Sequence, residues 1–370
     1  MERIDHLLPW STLGSEKRLS VFRFGCGARK VYIQSSLHAD ELPGMRTAWE
    51  LKQRLRLLEA EGRLRGTVEL VPVANPVGLG QMIQALHQGR FEMSSGRNFN
   101  RDFPDLLDAV IDSVGERLGS DPAANVALVR QALRAARDAR PPATSELEGM
   151  QRLLYRHACD ADLVLDLHCD FAAAIHLYTL PQQWPAFASL AARLGAAVGL
   201  LAEESGGGSF DEACSVPWLR LSRLYPRAEL PLACLATTVE LGGQADTTVQ
   251  QAEANAAAIL AFLAEQGFVE GEWPAAPEAC CEGLPFEGTE YVHAPHTGVV
   301  SFLRRPGEWV EVGEPLFQVI DPLADRASPV GAGVSGVLFA IDRRRYAQPG
   351  LWLAKVAGRQ PIRQGRLLSD

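Results

Sequence analysis

The chain has 370 residues, 47% hydrophobic and 22% charged, enough for about two globular domains with a full apolar core. Its net charge of −9, from 36 basic and 45 acidic residues with no basic stripe, argues against nucleic acid or an anionic membrane surface as a partner. The seven cysteines are dispersed apart from Cys280-Cys281, no run of about twenty apolar residues occurs, and Met1 to Trp10 has no apolar leader core, so the expectation is a cytoplasmic chain without a membrane span.

Strands and helices alternate through the first 270 residues. Val31 to Ser35 is a short β-rich run that leads to His38. Gly44 to Glu61 carries Ala48, Leu51, Leu55 and Leu58 at helical spacing and stops at Gly62. Val68 to Val73 is the next strand, closed by Asn75-Pro76. About residues 105–158 we expect a helical insertion, broken near Asp121-Pro122 and Arg140-Pro141-Pro142, which either packs or shapes the substrate pocket. Leu163 to Leu167 is almost continuously apolar, as a strand buried on both faces is. Cys234 to Val239 reads the same way, and Thr247 to Glu265 is an alanine-rich helix. These elements predict an α/β sandwich over residues 1–270. Residues 271–287 read as a linker, and 288–370 as a small all-β domain whose two halves echo each other around His293 to Val300 and Val330 to Leu338. That echo resembles the flattened barrel of biotinyl/lipoyl carriers, but the hairpin Asp321 to Ser328 has no lysine to modify, so a structural barrel is expected.

Three features carry chemistry. His38-Ala39-Asp40-Glu41 follows a strand, and residues three apart at such a turn can face one cavity. His168 stands at the carboxyl end of the Leu163 strand, where ligands collect in open α/β sheets. Two histidines and a glutamate form a mixed N/O set that suits one catalytic zinc ion. Asp166 lies on the same strand face as His168 and is a candidate to orient its imidazole, with a structural role as the alternative. Glu240, at the end of another apolar strand and followed by Leu241-Gly242-Gly243, suits a general base; a lone glutamate there is otherwise a rim residue. The loop Arg90 to Pro104 gathers three arginines and two asparagines, donors suited to a carboxylate and to a polarised carbonyl, or else to incidental surface ion pairs.

Taken together, these residues resemble the succinylglutamate desuccinylase/aspartoacylase family of the zinc-carboxypeptidase type. The resemblance rests on His38/Glu41, Asn100-Arg101-x-Phe103-Pro104, Asp166-Leu167-His168 and Glu240-Leu241-Gly242, in that order, over most of residues 20–265. It implies a zinc-carboxypeptidase-like α/β/α sandwich with a mixed sheet, a C-terminal β domain, and zinc-dependent hydrolysis of the amide bond in a small N-acyl amino acid. His38, Glu41 and His168 would hold the zinc and Glu240 would act as general base. Asn100 and Arg101 would grip the substrate carboxylate, with Arg90 or Arg97 polarising the carbonyl. His-Ala-Asp-Glu stands here where aspartoacylases read His-Gly-Asn-Glu, and the segment Glu203 to Glu212 is acidic and glycine-rich. The details are nearest the subgroup found in arginine/ornithine transport operons, and that resemblance together with the acidic segment favours N-acylated basic amino acids such as acylarginine or acylornithine. Alternative readings are a metallocarboxypeptidase acting on short peptides and a non-catalytic protein that binds an amino-acid derivative.

Overall fold

The computed structural model describes residues 1–278 and 281–367, so Cys280 lies outside the described residues. A nine-stranded mixed sheet organises the first part of the chain. In chain order its strands are β1 (Glu2–Leu7), β2 (Arg18–Phe24), β3 (Lys30–Ser35) and β4 (Thr67–Val71), and, beyond a small hairpin β5 (Met82–Ile83) and β6 (Leu86–His87), β7 (Leu163–Asp170). After the two-residue β8 (Ala172–Ala173) come β9 (His176–Thr179), β10 (Val198–Leu201), β11 (Leu235–Gly243) and β12 (Gly283–Pro285). The spatial order is β1-β2-β4-β3-β7-β11-β9-β10-β12, which puts β7 and β11, the strands carrying His168 and Glu240, side by side at the centre.

Helices cover both faces. α1 (Leu42–Ala60), α6 (Trp184–Leu194) and α8 (Val249–Glu265) pack on one face, and α2 (Pro76–Leu79) is a single turn after β4. On the other face lie α3 (Leu107–Val114), α4 (Pro122–Asp138), α5 (Glu146–Ala158) and α7 (Phe210–Leu224). The strand period of two explains the division. Leu163, Leu165 and Leu167 of β7 enter the α1 core, while Val164 enters the α7 core and leaves Asp166 and His168 on that same side. Helices α3, α4 and α5 fall within residues 105–158, and their apolar faces pack into the α7 core. No residue of 105–158 lines the main cavity, but Gln151 of α5 donates to Phe99 O and Arg101 O and so fixes the Asn100-Arg101 loop from behind.

Differences from expectation are local. β11 runs on through Glu240 to Gly243, with its pairing to β7 shifting between Glu240 and Gly243, because Gly242 adopts φ +88° and bends the chain. The segment read as a linker supplies β12, the parallel edge strand beside β10.

The C-terminal part forms two small facing sheets from β13 (Thr289–His293), β14 (Gly298–Phe302), β15 (Trp309–Val310), β16 (Pro315–Asp321), β17 (Arg326–Gly331), β18 (Gly336–Ile341), β19 (Tyr346–Ala347) and β20 (Trp352–Gly358). Val292, Leu316, Phe317, Leu338 and Val356 pack between them. This unit is joined to the first part through β8, whose Ala172 and Ala173 pair with Ile341 and Ala340 of β18. Among the described residues no helix is long and apolar enough to cross a membrane.

Candidate metal centre and active site

β3 ends at Ser35, and Ser36 turns the chain with φ +58°. Its hydroxyl donates to Glu41 O, and Glu41 N donates to His38 O, so the turn holds His38 and Glu41 on one side. Gly44 lets α1 approach β7 closely: a Cβ there would lie 2.6 Å from Leu167 O. That approach brings Glu41 to the end of β7, where Cys169 N donates to Glu41 Oε2 at 3.2 Å.

The three residues predicted as metal ligands meet. His38 Nδ1 lies 2.8 Å from Glu41 Oε1, and His168 Nδ1 lies 2.7 Å from Glu41 Oε2. One ligand atom from each lies within 4.8 Å of the others, and all three side chains are buried. The remaining ring nitrogens face acceptors. His38 Nε2 contacts Asn98 Oδ1 at 2.8 Å, and His168 Nε2 sits 3.0 Å from Asp166 Oδ2, close but poorly aligned for a hydrogen bond. A carboxylate on the second nitrogen of a ligand imidazole fixes its orientation and raises its basicity. Strand alternation points to Asp166 for this place, whereas Asn98 has no sequence signal beyond a second asparagine in Asn98-Phe99-Asn100.

Charge follows this geometry. Burial disfavours the His168 cation, yet Asp166 and Glu41 hold its imidazole well above the usual range. Burial likewise works against the Glu41 carboxylate, and the two histidines hold it well below the usual range. His38 is pushed down by its burial and by Arg90, against Glu41. A buried carboxylate between two inward-facing imidazoles, with His168 Nε2 and both Asp166 oxygens lacking a hydrogen bond, is a donor set that fits a divalent cation.

Glu240 pairs directly across from His168 in the parallel register of β11 and β7 and shares its cavity. Burial and the neighbouring Glu41 carboxylate push its pKa up to about 8, and Oε2 is buried without a partner. Arg90 reaches the same point, with Nη1 3.5 Å from His38 Nδ1 and 3.6 Å from Glu41 Oε1. Arg97 does not: its side chain is 42% exposed, pairs with Asp102 at 3.2 Å and lies outside the cavity.

The cavity is 360 Å³ and extends from the metal centre to Asn100 and Arg101. Asn100 Oδ1 accepts from Phe210 N and so also anchors the start of α7. Arg101 is buried, donates to Asn100 O, and is pushed down to about 10 by burial and by Arg90 and Arg366, against Glu212 and Asp211. The acidic segment Glu203 to Glu212 divides. Glu203 and Glu204 are taken up by Arg223 and Arg220 of α7, and only Asp211 and Glu212 reach the cavity. Glu212 accepts from Ser205, and Asp211 accepts from Ser209 at 2.6 Å. The far wall comes from the C-terminal unit, through Tyr291, Arg344, Trp352 and Lys355, which the sequence reading did not single out.

A family model described as the succinylglutamate desuccinylase/aspartoacylase catalytic domain matches residues 27–136, which include His38, Glu41, Arg90 and Asn100-Arg101. A crystal structure of a protein of that family from Shewanella amazonensis is 27% identical, covers 96% of this chain and 98% of its own, and superposes with a TM-score of 0.84. Over residues 27–136 the chain matches the succinylglutamate desuccinylase/aspartoacylase catalytic domain, and over nearly its whole length it is similar to a structure named for that family. A second family structure, from Shewanella frigidimarina, is 24% identical over 96% of this chain and 97% of its own, with a TM-score of 0.85. The fold also extends to the product-bound ectoine utilization protein EutE (DoeB) of Ruegeria pomeroyi, 17% identical over 96% and 94% of the two chains at a TM-score of 0.68. No protein among the curated relatives matches. As in these family structures, the fold is mixed α/β and runs through both parts of the chain.

Proposed function

We propose that this chain is a zinc-dependent hydrolase that cleaves the amide bond of a small N-acyl amino acid. The observation that carries this reading is the meeting of His38 Nδ1, His168 Nδ1 and the Glu41 carboxylate beside the buried Glu240, at one end of a cavity holding Asn100 and Arg101. Zinc bound by His38, Glu41 and His168 supplies Lewis acidity, which polarises a carbonyl and acidifies water.

The chain's own groups do the rest. Glu240 takes the proton of the attacking water and returns it to the leaving amine. Arg90 donates to the carbonyl oxygen as it gains charge, at the point where its guanidinium already faces the metal ligands. Asn100 and Arg101 hold the substrate carboxylate, and burial of Arg101 strengthens that charge-assisted contact. Asp166 and Asn98 keep the two imidazoles turned with Nδ1 toward the metal.

For the amino-acid half we favour a basic side chain, as in acylarginine or acylornithine. The support is narrower than the acidic segment as a whole: of its carboxylates only Asp211 and Glu212 face the cavity, where their charge also acts on Arg101. We read residues 1–270 as the catalytic domain and the C-terminal sheets as a flattened barrel of the biotinyl/lipoyl type, without a carrier lysine in the β16–β17 turn. The test is a panel of N-acyl amino acids incubated with zinc-loaded protein and read by release of free amine. Release from acylarginine well above acylaspartate is expected. Equal release would sink the basic-substrate assignment, and none from any member would sink the hydrolase.

A further inference from the structure

Exposed apolar side chains are not spread evenly over the surface. Leu79, Met82, Ile83, Leu86, Phe91 and Met93 lie on and beside the β5–β6 hairpin, with Met82 61% and Leu86 65% exposed. Hydrogen bonds make one patch of them. Gln81 Nε2 donates to Gln88 O at 2.6 Å and to Phe91 O at 2.8 Å, and Gln81 Oε1 accepts from Met93 N at 2.9 Å. His87 Nε2 contacts Gly78 O and Leu79 O, each at 3.2 Å. The base of the hairpin is therefore fixed, and its apolar side chains are held in place facing solvent. An apolar cluster of this kind marks an interaction site.

The tip is shaped for a β partner. Among the described residues β5 and β6 pair only with each other, and a two-stranded sheet is marginal in water on its own. Gln84 and Ala85 turn the chain with φ +48° and +63°, the left-handed pair of a tight hairpin, without the glycine or asparagine that adopts it unstrained. Such backbone persists where the contacts around it over-determine it. Nor is the edge guarded: residues 79–89 contain no lysine, arginine, aspartate, glutamate or proline.

Charge then selects the occupant. A partner recognised by ion pairs has none to make with residues 79–89. Two copies of this chain, each with a net charge of −9, repel one another least where both present an uncharged surface. A two-fold axis beside the hairpin lets identical edges pair antiparallel and buries the same apolar side chains from both copies. We infer that the β5–β6 hairpin is a homodimer contact, in which the hairpins of two copies pack edge to edge about a two-fold axis. The contact adjoins Arg90, the neighbour of Phe91, whose Nη1 reaches to 3.5 Å from His38 Nδ1.

The test is sedimentation velocity on the intact chain from about 1 to 100 µM, the span over which a micromolar contact dissociates. Wild type is expected to be dimeric at the upper end. Leu86→Glu and Met82→Glu, at exposed positions that require no repacking, should each raise Kd by about 100-fold or more, because a charge enters an apolar contact. Leu323→Glu, at a leucine 97% exposed in the β16–β17 turn, should leave the dimer intact. Circular dichroism and Tm, expected to match wild type in all three, separate loss of the contact from loss of the fold. A wild type that stays monomeric throughout the range overturns the inference, as does a dimer that survives both hairpin variants. So does a monomeric wild type that binds phosphatidylcholine vesicles through Leu86, which would give the patch to a membrane.

Discussion

Lys355 of β20 and Asp170, two residues beyond His168, form a buried ion pair at 2.5 Å. Lys355 also lies 4.4 Å from the Trp352 ring centre, and Trp352 stacks on Phe171 at 5.8 Å. The C-terminal unit is therefore bound, by charge and by stacked rings, to the segment that leaves the metal site. Lys355→Met strands the Asp170 carboxylate next to Glu240, and breaking a buried pair on one side costs about 3–5 kcal/mol. We expect a Tm loss and a fall in kcat of at least tenfold. Asp170→Asn combined with Lys355→Met should recover part of both, because no lone charge remains. Additive losses in the double variant would mean the two residues act separately.

Glu240→Gln should keep the metal and lose turnover by about 10²-fold or more, the usual worth of a positioned general base. Near-normal turnover would take Glu240 out of the mechanism. A base works only when deprotonated, so kcat/KM should rise with pH and level off above the pKa of Glu240. With Glu41 free, burial and Glu41's charge push that value up to about 8. A cation on Glu41 removes much of the repulsion, so the acid limb of the loaded enzyme should have its midpoint below 8.

Much of this centre was legible because its residues end strands. Leu163 to Leu167 reads as buried, so its carboxyl end, and His168 with it, had to face a crevice. Local spacing likewise sufficed for His38 and Glu41, which sit in one turn. What escaped depends on partners far away in sequence. The fate of Glu204 and Glu203 was fixed by arginines 16 and 20 residues on, in α7, and Lys355 meets Asp170 from 185 residues away. Asn98 meets His38 only because the 90–101 loop folds back over it. No periodicity carries such information.

Asn98 gives a measurable consequence. Its Oδ1 accepts from His38 Nε2 and from Asn100 N, so it sets the tautomer that leaves His38 Nδ1 free for a metal. Asn98→Ala should weaken metal affinity about 10–100-fold in competition with a chelator, the range for loss of such an orienting partner. Asn98→Asp, which keeps the acceptor, should retain it. His168→Ala should lose the metal altogether.

Arg90 and Arg97 separate cleanly on geometry. With Arg90 beside His38 and Glu41, Arg90→Met should cut kcat/KM by about 10²–10³, the scale of one lost oxyanion donor. Arg97 pairs with Asp102 at the surface, so Arg97→Met should stay within about twofold. Steady-state kinetics on the two variants decides. Equal losses would return Arg97 to the candidates.

Acid stability should report on a site far from the metal. Glu69 is buried, accepts from Arg23 at 2.9 Å and contacts His157 Nδ1 at 2.8 Å, while His157 Nε2 contacts His6 Nε2 at 2.8 Å. Burial alone would raise the Glu69 pKa, but His157, Lys30 and Arg23 bring it down to about 2. A carboxylate depressed in the folded state stabilises fully above its unfolded pKa, about 4.3, and loses that contribution as pH falls through the folded value. The difference is worth on the order of 3 kcal/mol. The stability gap between wild type and Glu69→Gln should then shrink steadily as pH falls below about 4.3. Urea unfolding of both proteins across that range measures it. A gap that keeps its size down to pH 3 would mean that Glu69 matters through packing and hydrogen bonding rather than through its charge.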